Sequence, residues 1–448
     1  NAIAQHPLLP AATMAGLSRR LASRFGRLTN LADARLGARV LFASDEWFAV
    51  GSNLLQPTEP LWDPETFCTQ GKVMDGWESR RRRAAGHDWA LIRLGLPGYI
   101  LGVEIDTAHF TGNQTPAARL LAATIDDDDA DSWLGAARPD LDVRGSAASP
   151  QQIAAAEAAC AAAADWVELV PATPLRPGYV EPNASLADNA GSIHRFLVPP
   201  SVSSTRLTHL RLDQLPDGGI ARLKVWGVVH RDFGRELDAE VVGSINLLAE
   251  EMGARAVGAS DSHYGDPRNL LKAGRGLRMD SGWETARQPG RPHVISVDKN
   301  TGLVDHTQFR GKGSESCVLR LAAQAKDIDE ILVDTCHFHG NFAESIQIEA
   351  AAAPTASPTA LLSPGAGVEW RTLLSRSRLG ADAEHSFRQL RTPDLDAISH
   401  LRVTIFPDGG IMRIKAFGRA VAPQPHEQPL TQAEIMADPT DQAEIMAD

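Results

Sequence analysis

Apolar residues come in short runs along this chain, and Gly, Pro, Asn and Asp punctuate the runs. Two such runs, at 100–105 and 328–333, have strand length, and each empties into a polar loop with glycine at its turn. The loops share a phrase: DTAHFTGN at 106–113 and DTCHFHGN at 334–341 agree at six of eight positions. Alternation is clearest near the end of each half, where HLRLDQLPDGGIAR (209–222) is answered by HLRVTIFPDGGIMR (400–413). Pro-Asp-Gly-Gly is turn chemistry and alternation resumes after it at 220–226, so the pattern predicts a β-hairpin. Many short strands with few helical periodicities predict an all-β fold, an antiparallel sandwich in each half.

The duplication runs well beyond these phrases. NLADARLGARVLFASD (30–45) aligns with NLLAEEMGARAVGASD (246–261) without a gap, at an offset of 216 (261 − 45). MDGWES (74–79) is answered by MDSGWET (279–285), and ALIRLG (90–95) by CVLRLA (317–322). The organisation expected is therefore an N-terminal extension at 1–27, a first repeat at 28–231, a second at 232–421 and a tail at 422–448. An insertion interrupts the first repeat at about 123–164; its acidic run (126–129) reads as surface and its alanine-rich part (154–164) as helix. The tail writes QAEIMAD twice and reads as frayed or weakly helical.

Composition narrows the function. Hydrophobic residues make up 43% and charged residues 22%, as in soluble globular proteins. A net charge of −12 argues against a nucleic-acid or membrane-surface partner. No apolar run approaches the ~18 residues of a membrane span. Four cysteines without paired spacing read as free thiols in a reducing compartment, and the start, broken by Pro7, Pro10 and Gly16, does not read as a signal peptide. A cytoplasmic location is expected.

The densest candidate chemistry is MDGWESRRRRAAGHDW (74–89). Asp75, Glu78 and His87 are proton-transfer candidates, and the forked guanidinium groups of Arg80, Arg81 and Arg82 suit an anionic substrate. The competing reading is a solvated basic loop. In the second half Glu284 and Arg287 occupy the matching stretch, followed by Arg291 and His293. A further polar group comprises Asp45, Glu46 and Asn53, with Asp261, His263 and Asn269 in the second half, although residues of this kind also cap and turn chains. His109 and His337 lie two residues before Thr111 and His339; on a strand such neighbours share a face, so His337, His339 and Asp334 could ligate a divalent metal. The first half has threonine at that place, so a duplicated metal site is not supported, and hydrogen-bonded structural histidines are preferred. Marks of P-loop, serine-hydrolase and zincin chemistry are absent from the sequence.

SDEWFAVGSNLL (44–55), MDGWESRRRR…GHDWALIRLG (74–95), DTAHFTGN and the repeated HLR…PDGGI(A/M)R together resemble the allantoicase family, over about 28–418 in both halves. The resemblance implies two tandem jelly-roll domains like galactose-binding modules, assembled into a homo-oligomer. The implied reaction is hydrolysis of allantoate to (S)-ureidoglycolate and urea in purine breakdown. Laid on the family motifs, Asp75, Glu78, His87, His109, Glu284 and His337 are the acid–base candidates. Asp45, Glu46, Asn53, Arg80, Arg81, Arg82, Asn113, Asp261, Asn269, Arg287 and Asn341 are the substrate-binding candidates, with no metal ligand assigned. The alternatives are a non-catalytic carbohydrate-binding pair and a hydrolase of a related ureido compound.

Overall fold

A computed structural model describes residues 21, 25, 28–125, 134, 138–180, 191–230, 244–292, 295–305, 308–310, 313–391 and 394–423. The acidic run, His293, the duplicated tail from 424 and nearly all of the N-terminal extension lie outside the described residues. The chain divides after His230 into two compact units, each all-β and each built to the same plan.

In the first unit the strands that matter are β1 (Arg39–Ala43), β2 (Trp77–Glu78), β3 (Asp88–Asp106), β4 (Ala117–Ala123), β5 (Val167–Pro174), β6 (Ile193–Leu197), β7 (Arg206–Leu215), β8 (Gly219–Ile220) and β9 (Arg222–Val229). The long strand β3 belongs to both layers of the sandwich. Its segment 90–93 runs between β1 and β7, and β7 continues through β4 to β5. Its segment 102–106 runs between β6 and β9. Pro97 and Gly98 mark the passage between the two sets of partners, where a proline lacks the donor a central ladder requires.

The second unit repeats this with β10 (Arg255–Ala259), β11 (Trp283–Glu284), β12 (Glu315–Asp334), β13 (Ser345–Ala351), β14 (Arg371–Arg378), β15 (Glu384–Phe387), β16 (Ile398–Phe406), β17 (Gly410–Ile411) and β18 (Arg413–Pro423). Strand β12 pairs with β10 and β16 early and with β15 and β18 late. The apolar alternation of the sequence fills each interior. Trp77, Ile92, Val103, Leu120, Leu212 and Val225 pack together in one unit; Trp283, Leu319, Val333, Ile348, Val403 and Ile414 do so in the other. Each such side chain contributes about 1.5–3 kcal/mol by leaving water.

The expected hairpin does not form. Strands β7 and β9 lie on opposite sides of β3, sharing only its Gly98 and Tyr99 as pairing partners, and are not paired with each other. Pro-Asp-Gly-Gly is instead an arch between layers, and its second glycine opens β8, which pairs with β2. Gly219 lies flat on the Phe110 ring, where an added Cβ would meet ring carbons at 2.1 Å. Gly410 covers Phe338 in the same way. Turn composition alone could not reveal that the long strand takes the place between the two strands it joins.

The insertion's helix, α1 (Pro150–Ala163), forms where alanine content predicted it, capped by a reciprocal Ser149–Gln152 box. The insertion is not a detached surface appendage, because Ser146 and Ala147 pair with Asp45 and Glu46 of a family motif.

Candidate active site

The twice-written phrase is a turn in which nearly every residue has a mechanical task. Asp106 Oδ1 accepts from the Ala108 amide at 2.9 Å, and Asp334 Oδ1 from the Cys336 amide at 2.8 Å, closing an Asx turn at the end of each long strand. Thr107 and Thr335 donate to carbonyls of neighbouring loops. His109 and His337 then adopt left-handed φ values of 71° and 68°. They are therefore not on a strand, and the inference that His337 and His339 share a strand face fails. Each histidine Nε2 instead reaches a backbone carbonyl, Pro60 at 3.3 Å and Gly276 at 2.9 Å. The buried Phe110 and Phe338 rings lie beneath the arches.

The last residue of the phrase reaches chemistry. Asn113 Nδ2 donates to Glu78 Oε1 at 2.7 Å, and Asn341 Nδ2 donates to Glu284 Oε1 at 2.5 Å. Both glutamates end a two-residue strand held by the arch, so arch, turn and acid are one assembly. Glu78 is buried, and loss of hydration pushes its pKa up from 4.5 to about 7, the Asn113 hydrogen bond offsetting only part of the rise. Glu284 is half-buried.

The arginine run follows Glu78 directly and borders a cleft of about 330 Å³ lined by Ser44, Asp45, Arg80–Arg83, Asp88 and the insertion's Ala147, Ala148 and Ile153. Two of the four guanidinium groups are tied down. Arg80 pairs with Asp45 at 2.7 Å, and Arg82 Nη1 with Asp88 at 2.8 Å. Arg81 and Arg83 are exposed at the cleft and lie outside those pairs. The Nε of Arg82 is buried with no acceptor among the described residues, a donor that an anion in the cleft could satisfy. Burial raises the Asp88 carboxyl against the opposing pull of Ser44 and Arg82. Glu78 does not line this cleft; Ser79 alone separates it in sequence from Arg80.

Other sequence candidates are engaged in holding the frame. Both oxygens of Glu46 are occupied, by the Gly51 amide on one side and by Arg138 and the Asp142 amide on the other. Asp75 pairs with the buried Arg222 at 2.8 Å. Asn53 and Asn269 donate to Gly76 and Gly282 carbonyls at 3.0 and 2.9 Å. His87 Nε2 lies 3.4 Å from Asp213 Oδ1. Burial alone would raise Asp213, but the neighbouring His87 and the hydrogen bonds from Arg211 and Arg119 outweigh it and hold the carboxyl at about 2. Asp261 accepts from the His263 amide at 2.7 Å, and Arg287 is exposed at the place matching Arg81.

Sequence reasoning missed Arg138 and the arch aspartate Asp217, whose carboxylate accepts the Arg82 amide at 2.8 Å; Asp88 stood in the dense stretch beside His87 but without an assigned role. Repetition was the available signal for the arch: Asp408 accepts the Gln288 amide at 2.9 Å in the matching position. Arg138 has no counterpart in the other half and gave no signal.

The described residues thus form two β-sandwich repeats of one plan, each with an acid–amide pair, the first with an arginine cleft. Residues 29–230 and 245–421 each match the allantoicase repeat. The chain is 37% identical over 404 residues to a probable allantoicase of Pseudomonas paraeruginosa, spanning 89% of this chain and 98% of that protein. A probable allantoicase of Pseudomonas savastanoi pv. phaseolicola is 34% identical over 400 residues, with the same coverage of 89% and 98%. A crystal structure of allantoicase from Saccharomyces cerevisiae is similar at 28% identity and a TM-score of 0.56, covering 92% of this chain and 99% of that one. The chain belongs to the allantoicase family. No helix among the described residues is long and apolar enough to cross a membrane.

Proposed function

We propose that this chain is an allantoicase, hydrolysing allantoate to (S)-ureidoglycolate and urea, a hydrolase of carbon–nitrogen bonds in linear amidines. The observation that carries the residue-level reading is the buried Glu78, poised near pH 7 and held by Asn113. Allantoate has one carboxylate and two ureido arms on one carbon. Arg81 and Arg83, with the Arg82 Nε–H, hold the carboxylate, and Asn113 orients the acid. Glu78 does not line the arginine cleft, so a ureido arm has to reach past Ser79; there Glu78 gives its proton to the departing nitrogen as the carbon–nitrogen bond breaks. Water supplies the hydroxyl to the carbon, and its proton restores Glu78. Glu284 and Asn341 repeat the pair, without the cluster of four arginines, and serve a lesser role. His109 and His337 support the loops beneath them rather than move protons. A cytoplasmic homo-oligomer agrees with the thiol content and family.

Urea and ureidoglycolate measured after incubating purified protein with allantoate test the reading. Equal amounts of both are expected. Turnover of ureidoglycolate but not allantoate would reassign the substrate, and no product from either would remove the activity. Nothing in the site favours the carbohydrate-binding alternative.

A further inference from the structure

The two copies of the phrase differ at two positions, and both differences add metal-binding chemistry to the second. Ala108 becomes Cys336 and Thr111 becomes His339. The fold then brings a third group to the same place from another loop. Cys336 Sγ, a ring nitrogen of His337 and a carboxylate oxygen of Asp382 all lie within 4.8 Å of one another. We propose that Cys336, His337 and Asp382 bind a borderline divalent cation of the Zn²⁺ class, a site that the first repeat does not possess.

Several observations fit a cation better than a chance meeting. In a tetrahedral Zn²⁺ site, bond lengths of about 2.0–2.3 Å place donor atoms roughly 3.3–3.8 Å apart, so these side chains need to close by only about 1 Å. The His337 Nε2 sits 2.9 Å from the Gly276 carbonyl. Donation there leaves Nδ1 as the ring's lone-pair nitrogen, the arrangement by which a backbone carbonyl orients a metal-binding imidazole. Asp382 Oδ1 accepts the His337 amide at 2.8 Å, which fixes the carboxylate against the turn. Its Oδ2 is 4.0 Å from Nδ1 of the exposed His339, which stands outside the cluster and would need a side-chain rotation to serve as a fourth ligand.

The left-handed His337 is shared with His109 and does not itself mark the site. Arg275 is the opposing charge nearby, and Asp334 takes it up at 3.3 Å. Asp334 thus acts beside the cluster rather than in it. The cation ties the turn carrying Cys336 to the loop carrying Asp382, both at one end of the second unit.

Metal-stripped full-length protein titrated with Co²⁺ tests this without reference to turnover. One equivalent per chain should bind with a thiolate-to-cobalt charge-transfer absorption, and Zn²⁺ should displace it. Cys336→Ala restores the residue found at Ala108 and should abolish the absorption with an unchanged circular dichroism spectrum. Asp382→Asn should keep the absorption at saturation but weaken binding by about tenfold or more. Absence of the absorption in the wild type, or its persistence in Cys336→Ala, overturns the proposal. Should Cys336→Ala fail to fold, unchanged affinity in Asp382→Asn overturns it equally.

Discussion

Glu78→Gln should make the protein more stable and less active, and the gain in stability should depend on pH. Glutamine keeps the shape of the side chain and an oxygen that accepts from Asn113, so the hydrogen bond of 2.7 Å survives. What disappears is the need to ionise a buried carboxyl. In the fold its pKa stands at about 7 against 4.5 unperturbed. The folded state therefore holds the proton more tightly than the unfolded chain, and stability falls as pH rises from 4.5 to about 7. Below that window both states are protonated and the penalty vanishes; above it the penalty is complete. The difference corresponds to at most ~3 kcal/mol, since the side chain is not wholly dry. For a unit of this size that translates into a Tm rise of up to about 6–12 °C. Thermal unfolding of wild type and Glu78→Gln at pH 4.5, 6 and 8 measures it. The gap should widen with pH while turnover drops by about 10²–10⁴. A gap that stays constant across the three pH values would refute the buried-acid argument.

Arg81→Ala should raise KM for allantoate by about ten- to a hundredfold with a smaller change in kcat, read from steady-state rates, because a charge-assisted bond contributes about 1.5–3 kcal/mol. Arg138→Ala should lower stability by about 3–5 kcal/mol in denaturant titration, since it strips the buried Glu46 of its counter-charge. Gly219→Ala should destabilise by at least about 1–3 kcal/mol, its new methyl meeting the Phe110 ring at 2.1 Å, with a lowered Tm as the readout.

The duplication and the all-β class were legible because both live in local patterns. Glu78 and Asn113 were both legible as residue types, but their partnership joins positions 35 apart and needed the fold. Three residues of the arginine run looked equivalent in sequence; Asp45 and Asp88 make them unequal by capturing Arg80 and Arg82. The hairpin failed because the strands on either side of Pro-Asp-Gly-Gly pair with opposite edges of the long strand, a partner that turn composition does not reveal. His337 and His339 failed as a strand pair because the Asx turn at Asp334 ends the strand before them. The proximity of His337 to Asp382 spans 45 residues, a distance no spacing rule covers.

The most direct test compares initial rates of urea release from allantoate by wild type, Glu78→Gln and Glu284→Gln between pH 5.5 and 8.5. The wild-type kcat/KM should fall as pH climbs through about 7, the limb belonging to protonated Glu78. Glu78→Gln should lose both rate and limb, and Glu284→Gln should keep the limb. A Glu78→Gln enzyme with wild-type rates and an unchanged profile would contradict the account.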